Sequence, residues 1–184
     1  MDITVLGRGN IGGGLADLWE RSGHRVTRLG RDGGDVSGAE VVLLAVPGDA
    51  VEKALSSVAG LAGKTVVDAT NLYGGARPAD GFSSNAEYVK SVTGGPTAKA
   101  FNTNFATLFG QVAGARARPG NLWSGDDEAG DVVSRLSLDA GYEAVRLGNL
   151  GMAATQEGLA GVMFSIAQSG LGEFVYRMAP PGQL

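Results

Sequence analysis

The first dozen residues constrain this chain more than any other stretch. Met1-Asp2-Ile3-Thr4-Val5-Leu6 is a short apolar run, Gly7-Arg8-Gly9-Asn10-Ile11-Gly12 follows at once, and a helical pattern then passes through Leu15, Leu18 and Trp19. A G-x-G-x-x-G turn between a strand and a helix places a demand on each glycine. Gly7 makes the tight turn, Gly9 lets the backbone approach a pyrophosphate, and Gly12 lets the helix pack close on the strand. The helix start then offers unpaired N–H groups to phosphate oxygens. A dinucleotide-binding turn is expected at Gly7, Arg8, Gly9, Asn10, Ile11 and Gly12. The alternative is a purely structural turn in a chain that holds 31 glycines.

Composition removes several other chemistries. A net charge of −4 argues against a nucleic-acid partner or an anionic membrane surface. The absence of cysteine excludes disulfides, thiol catalysis and Cys-based metal sites, and His24, the single histidine, cannot build a multi-histidine centre. No metal site is expected, and His24 reads as a turn residue. No apolar run reaches membrane length, and the chain opens directly on a strand, so neither a membrane span nor a signal peptide is expected. The expectation is a soluble cytoplasmic protein.

Further along, Arg25–Leu29 reads as a second strand. Ala39–Val46 is a continuous apolar run, the pattern of a parallel strand buried on both faces. A helix is predicted over about Ala50–Val58, a buried strand over Lys64–Ala69, and a short helix to Val92 behind the capping box Ser84-x-x-Glu87. Strands are expected at Thr97–Phe101, Asn121–Ser124 and Tyr142–Leu147, a helix from Asp126 or Asp127 to about Ala140, and a final helix over 151–169. Residues 106–120 are ambiguous. Alternating strands and helices predict an α/β, Rossmann-like, doubly wound parallel sheet. Residues 1–150 are expected to form the dinucleotide-binding domain and 151–184 a C-terminal helical appendage.

Residues 30–39, with their paired glycines, are too few for a crossover helix. The first half of the fold is therefore expected to lack the crossover after the second strand, leaving the adenine side open. The end of that strand decides between NAD and NADP. An acid there bonds the ribose 2′-hydroxyl and an arginine favours the 2′-phosphate. No acid stands at Leu29 or Gly30, Arg31 follows, and Arg8 is within reach of the same phosphate, so NADP(H) is expected. The competing reading leaves Arg28 and Arg31 as solvated charges, with Asp32 keeping NAD open. Ala45, Val46 and Pro47 end the third strand at the carboxyl edge, where ligands lie. Asn71 ends the next with a donor and an acceptor suited to a carboxamide, or serves as a turn residue.

Several landmarks line up with one family. They are Gly7–Gly12, Gly30-Arg31, Leu44-Ala45-Val46-Pro47, Gly63–Asn71, Lys99-Ala100-Phe101-Asn102-Thr103, Ser124–Asp127 and Gly170–Glu173. In these the chain resembles the coenzyme F-420-dependent NADP oxidoreductases, and most of all their shorter relatives described as dinucleotide-binding oxidoreductases. The resemblance implies that NADPH lies along the sheet edge and exchanges hydride with a deazaflavin or flavin ring (FMN or FAD) stacked on it. It places Gly9, Asn10 and Ile11 at the pyrophosphate, Gly30 and Arg31 at the 2′-phosphate, and Ala45, Val46 and Pro47 at the nicotinamide ribose. Asn102, Thr103 and Asn104 face the acceptor. The family often has Ser or Thr where this chain has Gly30, and a second basic residue where it has Asp32.

Hydride transfer between two planar rings asks the protein mainly for alignment and exclusion of water. Carbonyl reduction wants a positioned proton donor, for which Lys99 and Tyr73 are the candidates. Lys99, Asn102 and Thr103 are thus the candidate catalytic residues, Lys99 reading otherwise as a strand-edge charge. Arg116 and Arg118 read as loop charges or as contacts for an acidic cofactor tail. In the last helix, Leu159, Val162, Met163 and Ile166 form a predicted core stripe. Ala154, Gly158, Gly161 and Ser165 form a small-residue stripe, suited to helix packing, a homodimer contact or a site wall. Two other functions stay open: an NADP(H)-sensing module without turnover, and a reductase of an imine or carbonyl metabolite.

Overall fold

The structure is a computed structural model that describes residues 1–112 and 115–182. In chain order, strand β1 (Asp2–Leu6) leads to helix α1 (Asn10–Arg21) and strand β2 (Arg25–Leu29). Then come β3 (Gly34–Asp35), β4 (Val41–Leu44), α2 (Val51–Ser56), β5 (Val58–Ala59) and β6 (Thr65–Asp68). Helix α3 (Asn85–Thr93), β7 (Thr97–Ala100), α4 (Phe109–Val112), β8 (Gly120–Gly125), α5 (Gly130–Asp139), β9 (Glu143–Gly148) and α6 (Ala153–Ile166) complete it.

The main sheet has the order β2-β1-β4-β6-β7-β8-β9. Its first five strands are parallel, so the expected Rossmann-like architecture is present. The last two are a correction. β8 lies antiparallel to β7, and β9 runs parallel to β8. An antiparallel neighbour needs no crossover helix, so the residues directly after β7 are free to form part of the site instead. The shortened first half is also as expected. Between β2 and β4 the chain makes only the short strand β3, which pairs with β5 in a small second sheet. Val36, just beyond β3, is buried against the core there.

The apolar run before Pro47 is explained by its position. Val41 and Leu43 of β4 face a cluster with Leu15, Trp19 and Phe109, while Val42 and Leu44 face one with Val51, Leu55 and Val89. A strand covered on both faces has no use for polar alternation. Helix α1 closes its side of the sheet through Trp19, whose Nε1 donates to the Leu136 carbonyl at 2.9 Å. His24 is buried at the α1–β2 turn, Nε2 lying 2.8 Å from Asp139 Oδ2. Ser84 caps α3 by accepting from the Glu87 N–H at 3.2 Å. The Glu87 carboxylate completes the box one residue early, on Ser83.

Helix α6 departs from its expected orientation. The buried face is Ala153, Gln156, Ala160 and Met163, whereas Val162 and Ile166 of the predicted core stripe are exposed. Gly158, Gly161 and Ser165 of the small-residue stripe are exposed as well. Gln156 sets this rotation. Its Oε1 accepts from Ser124 Oγ at 2.8 Å and its Nε2 donates to Asn102 Oδ1 at 2.7 Å and the Leu122 carbonyl at 2.9 Å. A fully buried amide must find such partners, and that requirement outweighs a weak apolar periodicity. Among the described residues, no helix is long and apolar enough to cross a membrane.

Candidate functional site

The strand order reverses between β1 and β4, and ligands of open α/β sheets bind at the carboxyl ends beside such a switch point. Gly7 ends β1 there with φ +105°, and a Cβ on it would stand 2.2 Å from the Ala45 carbonyl oxygen. Only glycine satisfies both the dihedral and the contact. A Cβ on Gly12 would lie 2.0 Å from the Gly7 carbonyl oxygen, which accounts for the close seating of α1. The space beside Gly9 is open, with nothing within 4 Å of a Cβ. The first turn of α1 holds no acidic residue, and Gly9, at its N-cap, supplies no side-chain cap. Its first N–H groups therefore remain available to an anion.

A cleft of about 560 Å³ continues from this turn. It is lined by Asn10 and Ile11, by Ala45, Val46 and Pro47 after β4, by Asn71 and Tyr73 after β6, and by Asn102, Thr103 and Asn104 after β7. Ala160, Met163 and Phe164 of α6 add apolar surface. Ten of the residues singled out in the sequence are thus brought to one cavity. Arg8, Gly30 and Arg31 lie outside it, at the end of β2. A Cβ on Gly30 would stand 2.1 Å from Arg8 Nη2 and 2.9 Å from its Cζ, so the Arg8 guanidinium rests on the Gly30 backbone. Arg28 is neutralised by Asp17 at 2.6 Å and Glu20 at 2.9 Å. Among the described residues, Arg8 and Arg31 have no carboxylate partner. Arg116 and Arg118 are exposed loop residues.

Residues 102–104 reach the cleft because of a strained turn. Phe101 is fully buried with φ +64°, a costly conformation for a bulky residue. It is held by its N–H donating to Asn121 Oδ1 at 3.0 Å and by an edge contact with Trp19, ring centroids 5.7 Å apart.

The polar groups are mostly engaged. Asn71 Nδ2 donates to the Asn102 carbonyl at 2.8 Å and to Tyr73 Oη at 3.0 Å, and Asn71 Oδ1 accepts from Asn102 Nδ2 at 2.9 Å. Asn71 and Asn102 therefore brace each other across the ends of β6 and β7. Asn104 Nδ2 donates inward to Asn121 Oδ1 at 3.1 Å. Tyr73 stands at the rim, 63% exposed.

Lys99 differs from the expectation of a residue in the site. Its side chain is fully buried, does not line the cleft, and is fixed by Asp68 at 2.9 Å and Glu157 at 2.6 Å. Asp68 and Lys99 are register partners on β6 and β7, which puts the two side chains on one face of the sheet. Burial raises the Glu157 carboxyl above its usual range, against the opposing pull of Lys99. Asp68, Gln156 and Glu157 were not singled out as site residues in the sequence. The signal available was a Gln-Glu pair in an otherwise uncharged helix.

No protein-family profile matches this chain, and no curated protein matches it. Solved structures do. A crystal structure of a candidate F420-dependent NADP reductase from Arthrobacter sp. FB24 has a TM-score of 0.78 at 26% identity, covering 98% of this chain and 100% of that one. A hypothetical protein from Sinorhizobium meliloti has a TM-score of 0.67 at 24% identity, over 84% of this chain and 88% of that one. A reductive aminase from Aspergillus terreus in complex with NADPH and ethyl levulinate has a TM-score of 0.68 at 18% identity, a level that speaks for the fold alone. It is matched over 92% of this chain, which spans 63% of the aminase. The resemblance to the F-420-dependent NADP oxidoreductases thus extends from sequence motifs to the whole fold.

Proposed function

We propose that this chain is an NADPH-dependent oxidoreductase that passes hydride between NADP(H) and a planar acceptor, a deazaflavin of the F-420 type or a flavin. One observation carries the reading. A single cleft joins the start of α1 to the polar 102–104 loop and to the apolar residues of α6, at the switch point of the sheet. The structural likeness to a candidate F420-dependent NADP reductase supports it.

The residues present fit a dinucleotide. The open space beside Gly9 and the uncapped start of α1 suit a pyrophosphate held by Gly9, Asn10 and Ile11. Arg8, whose guanidinium rests on Gly30, and Arg31, next to Gly30 in the chain, have no carboxylate partner among the described residues and would hold the 2′-phosphate. Ala45, Val46 and Pro47 would flank the nicotinamide ribose, with Asn71 bracing the loop behind them. When bound, the dinucleotide supplies the hydride. The chain's own residues align the two rings and exclude water, a role that needs no buried acid or base in the cleft. Residues 151–184 then act as an appendage of the 1–150 dinucleotide fold, with α6 lining the acceptor end. The exposed Val162, Phe164 and Ile166 support pairing of two copies through this helix.

NADPH oxidation followed by absorbance with a deazaflavin, FMN, FAD and a cyclic imine tests the reading. Turnover with a deazaflavin or flavin is expected. Turnover with the imine alone would assign the cleft to imine reduction. Tight NADPH binding without any oxidation would make the chain a sensing module.

A further inference from the structure

Beyond α6 the chain folds back along the loop after β7. Glu173 pairs with the Thr107 hydroxyl, Phe174 packs edge-on against Phe105 with centroids 5.6 Å apart, and Tyr176 Oη lies 2.6 Å from Thr103 Oγ1. These three contacts run in opposite chain directions, so residues 173–176 zip antiparallel onto 103–107. The Gly120 N–H, donating to the Tyr176 carbonyl at 2.7 Å, fastens the segment to β8.

The direction of the Tyr176–Thr103 bond follows from its neighbours. Tyr176 Oη already accepts from the Leu122 N–H at 3.3 Å. Among the described residues its own hydrogen has no acceptor other than Thr103 Oγ1. Burial raises the phenol above its ordinary range, so it stays protonated. Tyr176 therefore donates, Thr103 accepts, and the Thr103 hydrogen is left free. Thr103 lines the cleft, while the amides of Asn102 and Asn104 are turned inward.

We propose that Thr103 is the hydrogen-bond donor that meets the acceptor as it is reduced, and that Tyr176 is the positioning residue that aims the Thr103 hydroxyl into the cleft. The proposal rests on the reading of the cleft as a hydride-transfer site. Reduction of a flavin-like ring adds a hydride, the dinucleotide being oxidised by the same two electrons. Negative charge then develops on the conjugated nitrogen–carbonyl system of the acceptor. A hydroxyl hydrogen already directed there stabilises that charge without reorganising. Thr103 keeps its proton, and the proton that completes the reduction comes from water.

The test compares Thr103→Val, Thr103→Ser, Tyr176→Phe and the Thr103→Val/Tyr176→Phe double variant. Four quantities are measured: kcat with a deazaflavin or FMN, the Kd of the same oxidised acceptor for the NADP⁺-loaded protein, the Kd for NADPH, and Tm. Thr103→Val is expected to lower kcat about 100-fold, the effect of removing one such donor. Thr103→Ser should stay within about fivefold of the parent, since it keeps the donor. Tyr176→Phe should lower kcat about tenfold and weaken acceptor binding, with NADPH affinity unchanged. The double variant should be no slower than Thr103→Val alone, because the tyrosine acts through the threonine. A purely structural Tyr176 would instead lower Tm and NADPH affinity together and add its effect to that of Thr103→Val. A parent protein that binds NADPH but reduces no planar acceptor overturns the functional reading and this inference together. A parent that turns over, with Thr103→Val within twofold of it, overturns this inference alone.

Discussion

The guanidinium of Arg8 rests on the backbone of Gly30, in the space a side chain at that position would fill. This contact brings a residue of the glycine turn to the end of β2, beside Arg31.

Cofactor choice follows from that contact. Arg31→Ala should weaken NADPH by about 10- to 100-fold, the worth of a charge-assisted hydrogen bond, and leave NADH almost unchanged. Gly30→Ala should displace only the flexible end of Arg8, weakening NADPH by a similar factor with little change in Tm. Calorimetric titration with both dinucleotides measures this. Equal losses for NADPH and NADH would rule out the 2′-phosphate assignment.

The buried group beneath the site makes a second prediction. Lys99, Asp68 and Glu157 are nearly or fully inaccessible, and the single ammonium bridges the two carboxyl groups. Lys99→Met would leave Asp68 as an uncompensated buried carboxylate, at a cost of about 3–5 kcal/mol. Urea unfolding should show that loss. A change below about 1 kcal/mol would mean that the triad is hydrated or rearranged.

Alkaline pH should destabilise the fold through two phenols. Burial raises Tyr142 and Tyr176, so each keeps its proton in the folded state at pH values where the unfolded chain has lost it. The unfolded chain then binds fewer protons, and stability falls as pH rises past about 10. Below that pH the contribution is fully present. Tyr142→Phe and Tyr176→Phe should each flatten the alkaline limb of Tm against pH, and an unchanged slope in both would contradict the assignment.

The parts of the molecule legible in the sequence are those fixed locally. The turn from Gly7 to Gly12 is readable because only glycine tolerates φ +105° beside the Ala45 carbonyl. The apolar run of β4 is readable because burial on both faces suppresses alternation. The missing crossover is readable as a length, ten residues being too few for a helix. What was not legible depends on partners distant in sequence. The reversal of β8 and β9 leaves no trace in a strand such as Asn121–Ser124, which is buried whichever way it runs. The left-handed Phe101 is held by Asn121 and Trp19, neither near it in the chain. The rotation of α6 is dictated by Gln156, whose partners lie on β7, β8 and the loop after β7. The burial of Lys99 required two carboxylates from different elements.

Isotope transfer tests the central claim most directly. The protein is incubated with NADPH carrying deuterium at the transferable C4 position and with an oxidised deazaflavin, whose reduced carbon centre does not exchange hydrogen with water. Mass spectrometry of the reduced acceptor should show one deuterium, delivered from one face of the nicotinamide only. Reduced acceptor without deuterium, or NADPH that binds and is never oxidised by any planar acceptor, would contradict direct hydride transfer in this cleft.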